Sequence, residues 1–238
     1  MNCLEIVSTI SKSAISAIPY IGGSAVSIWN DLQEKQIKRK ITRFEEFMNS
    51  LQNDINAIEN KINQNFITEN DCQDIFEKVS KMIVNERVNE KRKLYKNVFL
   101  NSMIDKIVDF DIIERDLRFI EQLNTIEIII LKIFDDPEEY NKRMGNIIKD
   151  PFLDENGHYI NSYQRKYYIM DQIMLLMPQI IKREDVLESL IFLSQNRILI
   201  NGIENKQLNT NGSPIDIFYN AFTTKGERFI KRLKDINE

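Results

Sequence analysis

The sequence predicts a mainly α-helical protein in two parts, a long antiparallel helical hairpin followed by a smaller α+β domain. Three observations carry this expectation. Only 7 Gly and 5 Pro occur in 238 residues, so few positions interrupt a helix. Apolar residues recur at heptad spacing through residues 37–62. From Leu123 onward the pattern changes to short, strongly apolar runs separated by turn-rich stretches. The expected division is an amphipathic helix and bend over 1–23, the hairpin over 24–106 and the α+β domain over 107–238, with an insertion at about 135–165.

The first element contains an uncharged stretch, SAISAIPYIGGSAVSIWN, at residues 13–30. Its length nearly suffices to span a bilayer, but serines, Pro19, Gly22 and Gly23 interrupt it. An export signal is not expected either, because Glu5 precedes the apolar run and Lys12 is its only base. The pattern fits two helices meeting at a bend. Leu4, Ile6, Val7, Ile10, Ala14, Ile15, Ala17 and Ile18 fall on one half of a helical wheel, and a hydroxyl-rich face falls on the other. Pro19 ends that helix, Gly22-Gly23 permits a reversal, and Ser24 is placed to cap the next helix. Ala25, Ile28, Trp29 and Leu32 line one face of the second helix. Such a segment either folds back on its own bundle or contacts a partner or membrane. Under the second reading the contact residues are Ile10, Ile15, Ile18, Tyr20, Ile28 and Trp29, within a device spanning residues 3–32. The basic run Lys35, Lys38, Arg39, Lys40 and Arg43 follows, and is either a solvated helix face or a match for anionic headgroups.

The hairpin carries the clearest signal. Ile37, Ile41, Phe44, Met48, Leu51, Ile55, Ile58 and Ile62 alternate spacings of 4 and 3. With no Gly or Pro between Ser24 and Phe66, one coiled-coil-like helix of about 40 residues is expected. The stretch QNFITEND breaks it, and Thr68 with Asp71 forms a variant capping box. A second arm follows with Cys72, Phe76, Val79 and Ile83 at the same spacing. Its middle, NERVNEKRK at residues 85–93, is nearly all polar. Antiparallel pairing places this stretch beside residues 40–50, so Arg39 and Lys40 are expected to share a surface with Arg92 and Lys93. The seam is satisfied within the hairpin or shared in a dimer; periodicity does not decide.

In the second part, LNTIEIIILKIFDD reads as an apolar helix capped near Asn124 or Thr125. YYIMDQIMLLMP is a second helix, ended by Pro178, and KREDVLESLIFLSQN a third, with Val186, Leu187, Leu190, Ile191 and Leu193 on a broad apolar face. RILI reads as a strand. A polar loop with Gly202, Gly212 and Pro214 leads to a returning strand and a closing helix, FYNAFTTKGERFIKRL. Thr223, Thr224, Gly226, Phe229 and Leu233 resemble the T-x-x-G-x-x-F/L ending of bacterial winged-helix domains, and the resemblance covers roughly residues 120–238. It implies that the third helix would enter a DNA major groove. That helix offers Glu184, Asp185, Glu188 and Ser189, with Lys182, Arg183 and Arg197 only at its ends, so its centre repels phosphate. A winged helix used for protein contacts is therefore expected. Hairpin and domain together resemble uncharacterised bacterial and phage-associated helical proteins found among accessory or defence genes.

Composition narrows the function classes. With 42% hydrophobic and 29% charged residues, wholesale disorder is excluded. The net charge of −4 divides into +1 over 1–106, −6 over 107–181 and +1 over 182–238, so no region has the excess that drives nucleic-acid binding. Cys3 and Cys72 form no CxxC pair, which fits a reducing cytoplasm, or the inner-membrane periphery if the opening helix acts on lipid. A lone His158 makes no histidine-rich metal site, and Asp135, Asp136, Glu138 and Glu139 lack calcium-loop spacing. Phosphate-loop, dinucleotide and nucleophile-elbow motifs are absent. No cofactor and no catalytic residue is expected. The reading is a non-enzymatic interaction or regulatory protein, an accessory in a bacterial or phage conflict system. Its partners are a protein or a second copy of the chain. A membrane-perturbing effector and a DNA-binding regulator are the alternatives.

Overall fold

The computed structural model describes residues 21–35, 37–64, 66, 70–105, 109–149, 165–210 and 213–236. The protein is mainly helical, with one small two-stranded antiparallel sheet among the described residues. It forms two compact units. One runs through Gln122 and takes in the chain end from Arg232; the other is Leu123–Lys231. The division thus falls at 122/123 rather than the expected 106/107, because the helix Phe110–Gln122 packs on its two predecessors.

In the first unit, α1 spans Gly22–Glu34 and α2 spans Lys38–Ile58. These replace the single long helix expected from Ser24. The break falls in the basic run, where Lys35, Lys38 and Arg39 would sit as like-charged i, i+3 and i+4 neighbours on a continuous helix. It allows α1 to touch both α2 and the following helix. Gly22 and Gly23 lie inside the first turn of α1 rather than in a reversal, and Ile21, not Ser24, is the N-cap. Residues 1–20, including Pro19 and the first amphipathic helix, lie outside the described residues, as does Thr68 of the expected capping box.

The second arm is also split, into α3 (Asn70–Asn85) and α4 (Asn89–Ile104). The polar stretch NERVNEKRK is where the chain turns. Glu86 Oε1 accepts the backbone N–H groups of Arg87 (2.6 Å) and Val88 (2.8 Å), which no longer bond within a helix. Helix α5 (Phe110–Gln122) completes the bundle. The heptad seam is satisfied internally. Phe44, Met48 and Leu51 are 0% exposed, and Ile55, Ile58 and Ile62 are buried, so this part of the seam is not available as a contact surface; Ile37 and Ile41, at its start, are not buried. Phe44, Phe47, Phe76 and Phe99 form a chain of ring contacts across α2, α3 and α4, with centroids 6.5, 6.2 and 5.7 Å apart. Cys72 on α3 is buried, and burial pushes its thiol up to about 12.

The second unit opens with α6 (Thr125–Asp135), held by the expected cap at Asn124. The Asn124 side chain accepts from Ile126 N (2.7 Å) and Glu127 N (3.1 Å), and Glu127 reaches back to the Asn124 N–H. Asp136 then caps α7 (Pro137–Arg143), a helix inside the expected insertion. Strand β1 (Arg165–Tyr168) occupies the start of the run read as helix; α8 begins only at Ile169 and ends at Leu176. Helix α9 spans Arg183–Gln195. Strand β2 (Gln207–Thr210) pairs with β1 in antiparallel register, Arg165 opposite Thr210 and Tyr168 opposite Gln207. The expected RILI strand is reduced to one bridge, Leu199 to Phe222.

Helix α10 (Thr224–Leu233) closes the chain. The Thr223 hydroxyl accepts the Gly226 N–H (3.0 Å) and donates to the Arg197 carbonyl, so it caps the helix and ties it to the segment after α9. Gly226 is required by proximity. A Cβ there would stand 2.0 Å from the Ile198 carbonyl oxygen. The T-x-x-G-x-x-F pattern thus has a physical content: a capping hydroxyl, a backbone contact that excludes any side chain, and the buried anchor Phe229. The last turn of α10 belongs to the first unit, where Asn97 Nδ2 donates to Leu233 O (2.7 Å) and Asn101 Nδ2 to the carbonyls of Arg232 (3.1 Å) and Lys234 (3.0 Å).

Candidate functional site

Helix α9 corresponds to the third helix of the expected winged-helix-like domain, the element expected to make its contacts. Val186, Leu190 and Leu193 are buried in the core of the second unit. Leu187 and Ile191 are each 38% exposed, so the expected broad apolar face divides into a buried part and an exposed part. On a helix, paired apolar residues such as Val186-Leu187 and Leu190-Ile191 cannot both face inward, since adjacent positions differ by about 100°. That doubling is the signal in the sequence that could have found the exposed stripe. Glu184, Leu187, Glu188, Ile191 and Gln195 follow one another at spacings of 3, 1, 3 and 4 along it, all exposed. Ile180, in the turn that enters α9, is 90% exposed, and Leu175 on the touching helix α8 is also exposed.

The basic residues that the DNA-binding alternative would use do not form a patch. Lys182 precedes α9 and Arg197 follows it, so they stand at opposite ends of a helix about 20 Å long. Arg183 donates to Asp171 Oδ1 (2.8 Å), and Arg197 holds a left-handed backbone conformation (φ 60°) after the helix. Glu184, Asp185 and Glu188 occupy the exposed surface between them.

In the first unit, Trp29 is buried in the core and Ile28 is half-buried. Ile28 lines a groove of about 340 Å³ with Leu32, Ile37, Val84, Lys35 and Lys40. Ile10, Ile15, Ile18 and Tyr20 lie outside the described residues. No helix of the described residues is long and apolar enough to cross a membrane. The basic run disperses. Lys35 pairs with Asp31 (2.8 Å), Lys40 donates to Asn85 Oδ1 (2.5 Å), and Lys38 and Arg39 are exposed.

The expected meeting of basic segments occurs one turn later than proposed. Arg43, not Arg39 or Lys40, joins Arg92 and Lys93, and Lys96 joins them from the next turn of α4. These four line a cleft of about 240 Å³ over the buried side chains of Phe47 and Ile83. Arg43 Nη1 donates to the Val84 carbonyl (3.0 Å), and Arg92 donates to the carbonyls of Glu86 and Arg87 (3.2 Å each) and to Asn89 Oδ1 (3.3 Å). Lys96 donates to Asp54 Oδ2 (2.6 Å) and Ser50 Oγ (2.8 Å).

The acidic group of the second unit is taken up structurally. Asp136 is an N-cap, Glu139 pairs with Arg143 (3.0 Å), and Glu138 accepts the Tyr219 hydroxyl (2.8 Å). Among the described residues no group of three or more His, Cys, Asp or Glu is placed to hold a metal; His158 lies outside them. No protein-family model, curated protein or solved structure matches the chain.

Proposed function

We propose that the protein is a non-enzymatic interaction protein and that its second unit is a winged-helix-like module docking a protein through α9. The supporting observation is the exposed pair Leu187 and Ile191 flanked by Glu184, Asp185 and Glu188. An apolar stripe bordered by carboxylates suits an amphipathic partner segment with apolar anchors and basic flanks. It does not suit a phosphate backbone, which these carboxylates repel. The order of helices, the Leu199–Phe222 bridge and the close approach at Gly226 support the winged-helix-like reading of the unit.

The test places a photo-crosslinking side chain at position 191 of the full chain in its host. The captured protein is then purified and reconstituted with wild-type and variant chains. Each anchor is 38% exposed, and full burial of a Leu or Ile is worth about 1.5–3 kcal/mol, so each contributes about 0.6–1.1 kcal/mol at most. The variant Leu187→Ala/Ile191→Ala is expected to bind at most about eight- to forty-fold more weakly. Unchanged binding by that variant overturns the reading. So does salt-sensitive duplex binding that is lost when Lys182, Arg183 and Arg197 are replaced by Gln.

A further inference from the structure

The geometry points to a second site, independent of α9: we infer that the cleft between α2 and α4 binds a small phosphate-bearing anion. Its cations are Arg43, Arg92, Lys93 and Lys96, against two carboxylates in its lining, Glu46 and Asp235. Lys96 is matched by Asp54 at 2.6 Å. The two guanidiniums are held differently. They donate to carbonyl oxygens at the break after α3 and to the Asn89 amide, all uncharged. These bonds fix both side chains while leaving their charge in place. A guanidinium carries five N–H donors, and Arg43 uses one Nη1 donor on Val84, leaving Nε and Nη2 for a ligand.

Two pre-oriented planar forks with spare donors match the oxygens of a phosphate group, and bidentate bonds to them are the stronger kind. Lys93 is exposed and makes no hydrogen bond or ion pair with a described residue, so its ammonium is available as a third cation. The volume of about 240 Å³ admits a compact anion such as a diphosphate or a phosphorylated metabolite, and falls below the range typical of drug-sized ligands.

The test is calorimetric titration of the full chain with pyrophosphate, with inorganic sulfate as the comparison anion. One saturable site is expected, tighter for pyrophosphate than for sulfate and weakened by added salt. Arg43→Gln and Arg92→Gln should each weaken it about tenfold, the loss expected for a charge-assisted hydrogen bond. Both arginines also satisfy backbone carbonyls, so circular dichroism must show these variants folded. Lys93→Gln removes the same charge without touching the fold and must also weaken binding, whereas Arg39→Gln, outside the cleft, must not. Absence of saturable binding by the folded wild-type chain overturns the inference. Equal losses for Arg39→Gln and Lys93→Gln overturn it too, because they mark diffuse attraction in place of a site.

Discussion

Replacing Gly226 with Ala sets two effects of opposite sign against each other. The residue lies in α10, where Ala is the better helix former by about 0.8–1 kcal/mol. A sequence-only argument therefore predicts stabilisation. The structure predicts the reverse. The new methyl would stand 2.0 Å from the Ile198 oxygen, 2.9 Å from its carbonyl carbon and 3.2 Å from Phe222 Cδ1. The clashing atom is backbone and is anchored: Ile198 O accepts the Thr223 N–H (3.0 Å), and the adjoining Ile200 N–H donates to Ala221 O (2.8 Å). Relief requires α10 to move off this segment. Overpacking costs about 1–3 kcal/mol. Weakening two of the hydrogen bonds adds about 1 kcal/mol each. After subtracting the propensity gain, Gly226→Ala should destabilise the second unit by about 2–4 kcal/mol. Urea unfolding followed by circular dichroism reads this. Gly23→Ala is the control, because nothing lies within 4 Å of its added Cβ, and it should be neutral or stabilising by up to about 0.5 kcal/mol. A Gly226→Ala chain as stable as the wild type would refute the close approach.

Asp116 is 3% exposed and pairs with the half-buried Arg232, so Asp116→Ala leaves that guanidinium without its carboxylate and should cost about 1.5–3 kcal/mol in denaturant unfolding. Adding Arg232→Met to that variant should recover part of the loss. Glu45 is buried with Oε1 unpartnered, and burial raises its pKa above the ordinary carboxylate value of 4.5. The folded chain then binds this proton more tightly than the unfolded chain, so Glu45's contribution to stability falls as pH rises from 4.5 through the raised value. Glu45→Gln should raise stability at neutral pH and flatten that part of the pH profile; an unchanged profile counts against the burial. Cys72, with its thiol pushed up to about 12, should resist a thiol reagent at neutral pH in a Cys3→Ser chain until the protein is unfolded, and rapid native labelling would contradict its position in the core.

Long-range order in the sequence was easier to read than its interruptions. The seam from Phe44 to Ile62 announces a buried helix face because its periodicity is sustained over several turns. The break at Lys35–Ile37 has no Gly or Pro, and arises where like charges meet and where tertiary packing of α1 favours a turn. The cap at Asn124 is legible because a polar residue precedes an apolar run there, whereas Thr223 is followed by TKGER and shows in the sequence only as part of the T-x-x-G-x-x-F pattern. The β1–β2 sheet was not visible: β2 is at least partly exposed along its whole length, so QLNT carries no apolar alternation, and Tyr167-Tyr168 merges into the helical run that follows. The basic cleft was half legible. Lys40 and Arg43 meet Asn85 and Val84 at the end of α3, as antiparallel pairing implies. The chain then reverses at Glu86–Val88 and α4 runs beside α2 in the same direction, Lys96 meeting Asp54 and Asn63 meeting Met103, so Arg92 and Lys93 lie with Arg43 and not with Arg39 and Lys40.

The internal seam also decides where contacts can form. A dimer through Phe44, Met48 and Leu51 would have to expose side chains that are now fully buried, and a single domain has only about 5–15 kcal/mol of stability to lose. Contacts therefore fall to surfaces that are already open, and the two found have opposite charge. The α9 stripe is flanked by Glu184, Asp185 and Glu188, while the cleft presents Arg43, Arg92 and Lys93. Duplex DNA would be drawn to the cleft and repelled from the centre of α9. A gel shift with the wild-type chain alone is thus ambiguous. A shift lost in Arg43→Gln/Arg92→Gln but kept when Lys182, Arg183 and Arg197 are replaced reports the cleft. The converse pattern would make α9 a DNA-reading helix despite its carboxylates, and would remove the basis for a basic, amphipathic protein partner.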